Sequence, residues 1–257
     1  MKNGLKEKLL NDKKPIGMFV GSGSATVVEC LVRTGLDFVV IDNEHSPMEA
    51  ETSMALIRAA ESGGLCPLAR VREISRPAVL KLLDVGAQGL IVPNVQSVDD
   101  VKKLISYAKY APVGDRGFCP TRKDGWGFDT AETVWSLMAR INAETLLIPQ
   151  CETVGALNAI EDIVALDGVD GIFVGPFDLS ISMGLPGQFD HPDFTAAVDR
   201  IIKACHDAGK FCLFFGGTPE AVTAGFLRGF DGMAYSIDTV ALIKAVKTDV
   251  DAIRKTM

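Results

Sequence analysis

The stretch LLIPQCETVGALNAIEDIVALDGVDGIFVGPFDLS, from Leu146 to Ser180, decides the fold. Its two apolar runs, LLI and GIFV, are too short to be helices, and they flank a segment with helical spacing from Val154 to Leu166. This order predicts a strand, a helix and a second strand that runs parallel to the first. Such a unit places the carboxyl ends of both strands on the same side of the sheet.

An acid follows each of these two strands, Glu152 after the first and Asp178 after the second. Each acid could simply cap a helix, Glu152 near Thr153 and Asp178 from Leu179 onward. Because both acids leave the sheet on the same side, they are also placed to bind one hard divalent cation through oxygen ligands. Taken together, the two acids favour the metal site over two separate caps.

The same alternation of apolar runs and helical spacing extends over the whole chain. The predicted strands are Ile16 to Val20, Phe38 to Ile41, Pro67 to Ala69, Gly89 to Val92, Leu146 to Ile148, Gly171 to Val174, Phe211 to Phe215 and Gly232 to Tyr235. The predicted helices are Ala25 to Val32, Met48 to Ser62, Ser75 to Val85, Ser97 to Tyr107, Ala131 to Asn142, Val154 to Leu166, Phe194 to Ala208, one capped by Thr218, and Thr239 to Lys255. Eight strand and helix repeats in 257 residues predict one α/β domain over residues 1–257, a (β/α)8 TIM barrel. An open doubly wound sheet is the alternative, but no Gly-x-Gly-x-x-Gly motif follows the first strand.

Composition narrows the class of protein. The hydrophobic fraction of 47% with 25 glycines fits a parallel sheet that is buried on both faces. The net charge of −7, without a cluster of lysines or arginines, argues against nucleic acid and against an anionic membrane as partners. No apolar stretch approaches the ~20 residues of a membrane span, and residues 1–11 lack the apolar run of a signal peptide. The six cysteines contain no Cys-x-x-Cys motif, which favours buried reduced thiols and a cytoplasmic location.

One segment interrupts the periodic pattern. Residues 111–127 contain two prolines and four glycines together with Arg116, Lys123 and Trp126. Irregular loops of this length are uncommon in compact domains and often carry function. We therefore expect a lid or a wall of the active site here, with Arg116 as a contact.

Polar residues at the carboxyl ends of the predicted strands are the candidates for chemistry, because barrels hold their active sites there. These residues are Asp42, Glu44, His45, Arg70, Gln150, Glu152 and Asp178. Two carboxylates suit Mg²⁺ or Mn²⁺, which prefer oxygen ligands. A guanidinium can hold a carboxylate or an enolate, and an imidazole can move a proton.

These residues occur in motifs whose order and spacing resemble a known family. The motifs are Asp42-x-Glu44-His45, Arg70, Leu83 to Ala87 leading into Val92-Pro93, Arg116-Gly117, Gln150-x-Glu152-Thr153, and Val169 to Ser180 with Gly175-Pro176-x-Asp178. Together they look like the HpcH/HpaI aldolase/citrate lyase family, over roughly Gly17 to Asp238. The resemblance implies a pyruvate-type (β/α)8 barrel and a class II aldolase of the 4-hydroxy-2-oxoheptanedioate or 2-keto-3-deoxy-rhamnonate type. Such an enzyme reversibly cleaves a 4-hydroxy-2-oxo acid to pyruvate and an aldehyde.

The resemblance also implies roles for individual residues. Glu152 and Asp178 would bind a divalent ion, which could be Mg²⁺, Mn²⁺ or Co²⁺. Arg70 would face the keto oxygen of the substrate, while His45, oriented by Asp42, would serve the proton transfer. Gln150 would lie beside the substrate.

Further expectations concern the substrate and the assembly. Gly175, Phe177 and Asp178 would form the substrate-binding segment, and Phe177, which differs from the usual residue of the family, would narrow the aldehyde pocket. Family members form dimers that exchange the last helix and assemble into hexamers, so the resemblance implies a homo-oligomer.

Three other functions are open at the sequence level. A Schiff-base aldolase needs a lysine at a strand end, and Lys123 in the 111–127 loop is the nearest candidate. An acyl-CoA lyase of the citrate lyase β or citramalyl-CoA type is the nearest rival within the family. A metal-binding barrel that has lost catalysis is the third alternative.

Overall fold

The computed structural model of the chain describes residues 2–128 and 133–257. Eight parallel strands close into a barrel in chain order, and β8 pairs with β1. The strands are β1 Ile16–Val20, β2 Phe38–Asp42, β3 Cys66–Arg70, β4 Gly89–Val92, β5 Leu146–Cys151, β6 Gly171–Val174, β7 Phe211–Gly216 and β8 Gly232–Ile237. The predicted (β/α)8 barrel is therefore confirmed.

Helices surround the barrel between successive strands. They are α1 Gly4–Leu10, α2 Ala25–Leu31, α3 Ala50–Ser62, α4 Arg76–Asp84, α5 Val98–Ala108, α6 Val134–Glu144, α7 Val154–Asn158, α8 Ile160–Val164, α9 Pro176–Ser182, α10 Pro192–Asp207, α11 Pro219–Arg228 and α12 Asp238–Lys255. The predicted start of α6 at Ala131 lies outside the described residues. No helix within the described ranges is long and apolar enough to cross a membrane.

The core has two layers because each strand is buried on both faces. Phe38 and Val40 of β2 pack inside the barrel, whereas Val39 and Ile41 pack between the barrel and the surrounding helices. All five residues of β2 are buried. This double burial explains why the strands appear in the sequence as continuous apolar runs.

The short helix α1 closes the amino end of the barrel and was not predicted. Leu5 and Leu9 join the cluster of side chains inside the barrel. Asn3 caps this helix and also donates to the Gln88 carbonyl at 2.9 Å. Only two apolar residues in this Lys-rich segment face the core, so its hydrophobic periodicity is too weak to predict a helix.

The helix predicted from Val154 to Leu166 is two short helices, α7 and α8. They meet at Ala159, whose backbone leaves the helical region with φ −104° and ψ 14°. A Cβ on Gly155 would clash with the Gln96 carbonyl oxygen, so α7 packs directly against the loop after β4. This close approach is a tertiary contact that helical spacing alone does not reveal.

The 111–127 loop lies at the amino end of the barrel, opposite the carboxyl ends of the strands. The prediction that it forms a lid or a wall of the active site of the same chain is therefore wrong. Arg116 forms an ion pair of 2.7 Å with Asp84, the last residue of α4, and Arg122 pairs with Glu61 near the end of α3. The ends of these helices lie at the amino ends of the strands because each helix runs back along the barrel. The loop follows α5 and therefore connects a helix to the next strand at that same end.

Lys123 lies at this amino end as well. Its ammonium donates to Thr145 Oγ1 at 3.2 Å, and Thr145 directly precedes β5. Burial, together with the charges of Arg116 and Lys109, lowers the pKa of Lys123 to about 7. Such a pKa would suit Schiff-base chemistry, but the amine lies at the opposite end of the barrel from Arg70.

Candidate active site

A cavity of about 140 Å³ opens at the carboxyl end of the barrel. Its lining combines polar side chains from strand ends with apolar side chains from the barrel interior. The lining residues are Phe19, His45, Arg70, Gln150, Phe173, Gly175, Pro176, Phe177, Asp178, Phe215 and Ile237. The cavity therefore contains six of the predicted site residues, and Asp42 and Glu152 contact two of those six.

Arg70 ends β3 and is held in place by two neighbouring acids. Its Nε and Nη2 donate to the Asp42 carboxylate at 2.9 and 2.6 Å, and its Nη1 lies 3.1 Å from Glu44 Oε2. The guanidinium also lies over the Phe19 ring, 4.9 Å from the centroid. Burial opposes ionisation of Asp42, but the hydrogen bonds and charge of Arg70 still lower the pKa of that carboxyl. The guanidinium is thus fixed as a preorganised positive donor.

Asp42 contacts His45 through the backbone, and no contact between the Asp42 carboxylate and the His45 imidazole is formed within the described part of the chain. Asp42 Oδ1 accepts hydrogen bonds from the backbone N–H groups of Glu44 and His45. The same oxygen also accepts a hydrogen bond from Arg70 Nε. The carboxylate near the imidazole is Glu44, with 3.8 Å between His45 Nε2 and Glu44 Oε2. The His45 side chain is 65% exposed, so its imidazole can turn toward a ligand in the cavity.

Glu152 is buried beside Gln150. Its Oε1 accepts the Asn94 backbone N–H at 2.6 Å, and its Oε2 accepts a hydrogen bond from Gln150 Nε2. Burial raises the pKa of Glu152 to about 7, and the nearby charges of Glu44 and Asp178 act in the same direction. A cation bound beside Glu152 would stabilise its ionised form, because it would offset both burial and the repulsion from neighbouring carboxylates. Asn94 could not be identified from the sequence, because it contributes a backbone N–H and not a side chain.

Neither predicted metal ligand caps a helix through its side chain. Thr153, not Glu152, caps α7 by accepting from the Ala156 N–H at 3.0 Å. Asp178 lies in the first turn of α9, whose N-cap is Gly175. Within the described part of the chain, its exposed carboxylate makes no hydrogen bond or ion pair with another residue. The cap alternative is therefore wrong for Glu152, and for Asp178 it reduces to a favourable charge near a helix start.

Gly175 lies where the two acidic segments approach each other. A Cβ at this position would lie 2.7 Å from Gln150 Nε2 and 2.7 Å from Glu152 Oε2. Contacts this short force the Gln150 and Glu152 side chains to move. Close packing against the site therefore favours glycine here, whereas its backbone angles do not demand it, since its φ is −92°.

We expect Gly175→Ala to lower kcat/KM by roughly 100-fold, because displacing reactive groups by about 1 Å can have that effect. The measurement is steady-state cleavage of a 4-hydroxy-2-oxo acid, the reaction that the family resemblance implies, with added Mg²⁺ and with thermal unfolding as a check of the fold. Gly217→Ala is the matched control, since nothing lies within 4 Å of a Cβ at that strand end. Equal activity of Gly175→Ala and wild type would show that Gln150 and Glu152 tolerate displacement.

The residues present fit a divalent ion. The described residues contain no group of three or more His, Cys, Asp and Glu side chains arranged to hold a metal. Mg²⁺, however, is often held by one or two carboxylates and completes its shell with water and substrate oxygens. Among the described residues, the buried Gln150 Oε1 has no hydrogen-bond partner, so an oxygen beside Glu152 is left available to a ligand.

Aromatic side chains form the floor of the cavity, and sequence reasoning missed most of them. Phe19 packs edge to face on Phe173 and on Phe215, with centroid distances of 5.8 and 5.9 Å. Each lies near the carboxyl end of a strand and points into the barrel. Strand periodicity could have identified them as inward-facing, since alternate residues share a face.

Comparisons with known proteins agree with the motifs. A family model described as HpcH/HpaI aldolase/citrate lyase matches residues 15–245. The 2-keto-3-deoxy-L-rhamnonate aldolase of Escherichia coli O1:K1 / APEC is 30% identical over 240 residues, which cover 93% of this chain and 88% of that protein. An HpcH/HpaI aldolase/citrate lyase family protein from Burkholderia cenocepacia J2315 has a crystal structure with a TM-score of 0.91 and 29% identity, covering 98% of this chain and 100% of that one. The citrate synthase SbnG has a crystal structure with a TM-score of 0.88 and 28% identity, covering 98% of both chains.

Proposed function

The chain belongs to the HpcH/HpaI aldolase/citrate lyase family, and we propose that it uses a divalent ion to cleave a 4-hydroxy-2-oxo acid reversibly to pyruvate and an aldehyde. It is a carbon–carbon lyase. The observation that carries the proposal is the cavity in which Arg70, fixed by Asp42, meets Gln150 and Asp178. Relatives are named as 2-keto-3-deoxy-L-rhamnonate aldolases, which supports this class of reaction.

Glu152 and Asp178 would hold the ion, with Gln150 Oε1 as a neighbouring oxygen. When bound, Mg²⁺, Mn²⁺ or Co²⁺ supplies a Lewis acid that polarises the 2-oxo acid, an effect worth several kcal/mol. The chain itself supplies two carboxylates at the ends of adjacent strands, β5 and β6. Burial raises the pKa of Glu152 and the nearby charges of Glu44 and Asp178 add to this effect, and a bound cation would offset both causes.

Arg70 would bind the developing enolate oxygen. The guanidinium keeps its orientation through two hydrogen bonds to Asp42, so no reorganisation is required when charge moves onto the substrate. Asp42 is therefore a positioning residue for Arg70. This differs from the role expected from the sequence, in which Asp42 oriented His45.

His45 would move the proton of the 4-hydroxyl group. In cleavage it takes this proton, the C3–C4 bond breaks, and the electron pair of that bond passes to the pyruvate enolate. The aldehyde leaves with its carbonyl newly formed. The enolate takes a proton at C3 from water to give pyruvate, and the imidazolium returns its proton to water. Glu44, 3.8 Å from His45 Nε2, would balance the charge of the imidazolium.

We also propose that the protein is a homo-oligomer in which α12 packs on a second copy. Asp238 is the buried residue of this helix, whereas Leu242, Ile243 and Ile253 are each about 60% exposed. Exposed apolar residues grouped on one element are typical of a protein interface. Dimers that exchange this helix, and hexamers built from them, would bury these residues.

The test is exchange of the pyruvate C3 protons with deuterium in D₂O, followed by NMR with Mg²⁺ or Mn²⁺ present. We expect ion-dependent exchange, because enolisation is the half of the reaction that needs no aldehyde. Borohydride added with pyruvate should leave the protein mass unchanged. No exchange above the rate with the ion alone, or a borohydride-trapped adduct on a lysine, would contradict the proposed mechanism.

A further inference from the structure

We infer that the aldehyde end of this cavity selects aldehydes with an apolar chain over carboxylated or polyhydroxylated ones, with Phe177 as the determining side chain. The inference rests on the proposed function and specifies the second substrate of the same site. It is carried by three features of the cavity: an anchored aromatic rim, an aromatic floor and the absence of an unpaired cation among its described lining residues.

The rim is formed by Phe177 in the first turn of α9. Its side chain lines the cavity and is 55% exposed, which is unusual for a phenylalanine. The ring packs edge to face on Phe189 at 4.9 Å with an interplanar angle of 90°, and Phe189 packs on the buried Phe194 at 5.6 Å. Phe177 is thus held by Phe189, which itself packs on the core, and its ring lines the cavity, so apolar surface is already in place for a ligand.

The floor continues the apolar surface inward. Phe173 and Phe215 line the cavity on either side of Phe19, and Ile237 completes the wall at the end of β8. The Arg70 guanidinium lies over the Phe19 ring, so the polar and apolar parts of the cavity meet at this residue. A substrate whose oxo acid end is held by Arg70 and Gln150 therefore has aromatic surface available for the remainder of its chain.

Charge in the cavity opposes a second acidic group. Arg70 is the one permanently charged cation among its described lining residues, and Asp42 and Glu44 already pair with it. The His45 imidazole already has an acidic neighbour, since its Nε2 lies 3.8 Å from Glu44 Oε2. Asp178 adds negative charge next to Phe177. A carboxylated aldehyde would therefore lose hydration without gaining a partner, and a hydroxylated chain would find few donors or acceptors.

The experiment compares two pairs of aldehydes of equal chain length in the synthetic direction with pyruvate and Mg²⁺. The pairs are butanal with succinic semialdehyde, and propanal with glyceraldehyde. The readout is the ratio of kcat/KM within each pair for wild type, Phe177→Ala, Phe177→Leu and Ile181→Ala. Ile181 is the matched control, because it lies on α9 and is 60% exposed but does not line the cavity.

We expect wild type to prefer butanal over succinic semialdehyde by on the order of 100-fold and propanal over glyceraldehyde by about 10-fold. Phe177→Ala should reduce both ratios by at least about 5-fold, whereas Phe177→Leu and Ile181→Ala should retain them within about 2-fold. Preference for the polar member of each pair, or equal ratios in Phe177→Ala and wild type, would overturn the inference. Deuterium exchange into pyruvate distinguishes failure of the aldehyde selectivity from failure of the proposed function. If exchange occurs but the enzyme prefers the polar aldehydes, only the selectivity is refuted. If no exchange occurs, the proposed function is refuted together with the selectivity.

Discussion

Aldol cleavage by this protein is expected to fall by at least about 1000-fold when a chelator removes divalent ions, and to return when Mg²⁺ or Mn²⁺ is restored. The expectation follows from two carboxylates, Glu152 and Asp178, at the ends of adjacent strands and from a buried oxygen on Gln150 that has no partner among residues 2–128 and 133–257. A Lewis acid contributes several kcal/mol to a transition state that gains negative charge, and each 1.36 kcal/mol is a factor of ten in rate. The measurement is pyruvate release with a coupled assay at several concentrations of added ion.

Measurements of ion binding to variants identify the residues that hold the ion. Glu152→Gln should weaken ion binding, measured by calorimetry, by roughly 100-fold or more, because even outer-shell partners of a metal account for about 10- to 100-fold. Glu161→Gln is the matched control, since Glu161 lies on α8 and pairs with Arg200 at the surface. Full activity in the chelator, or unchanged ion affinity in both Glu152→Gln and Asp178→Asn, would refute the metal mechanism.

The barrel could be predicted from sequence because each of its strands is a short apolar run buried on both faces. The residues at which the strands end are harder to predict from the sequence. β8 reaches Ile237 instead of Tyr235 because Ile237 pairs with Phe19 of β1 when the barrel closes. That pairing joins residues from opposite ends of the chain, so no local pattern reports it. The helix α1 is held by the same kind of contact, with Leu5 and Leu9 inside the barrel.

The location of the 111–127 loop can be predicted from the order of the elements, although its length and irregularity suggest the opposite end of the barrel. A connection from a helix to the next strand lies at the amino end of a barrel, and active sites lie at the other end. Length and irregularity alone led to the expectation of a lid. The order of elements, α5 before the loop and β5 after it, carried the stronger information. Topology should therefore take precedence over loop length when a loop is assigned to a face.

Which side chains of the site would pair could not be predicted from spacing. Asp42 is opposite Arg70 in the register of β2 and β3, so the two side chains emerge at the same level of the barrel. His45 follows Asp42 by three residues, and its backbone N–H instead closes a local turn on the Asp42 carboxylate. The register of the two strands in the closed sheet thus brings the Asp42 carboxylate next to the Arg70 guanidinium. The residue types were identified from sequence, but their partners required the structure.

Arg70→Lys is expected to lower kcat by roughly 100- to 1000-fold, the usual effect of losing one fixed donor to a developing oxyanion. Lysine retains the positive charge beside Asp42 and Glu44, so no carboxylate is left buried without a counter-charge. It cannot, however, hold Asp42 through two parallel hydrogen bonds and at the same time point a donor at the substrate. The loss should therefore appear in kcat for cleavage, with a smaller change in KM.

Arg72→Lys provides the matched control for this prediction. Arg72 lies two residues beyond Arg70, is about half exposed and pairs with Glu49 at 2.6 Å outside the cavity. Its replacement should leave kcat within about 2-fold, since exposed ion pairs contribute little to stability. Ion affinity and the midpoint of thermal unfolding are measured for both variants to separate catalysis from folding. A kcat for Arg70→Lys within about 3-fold of wild type would show that positive charge alone suffices, and that the orientation imposed by Asp42 is not used.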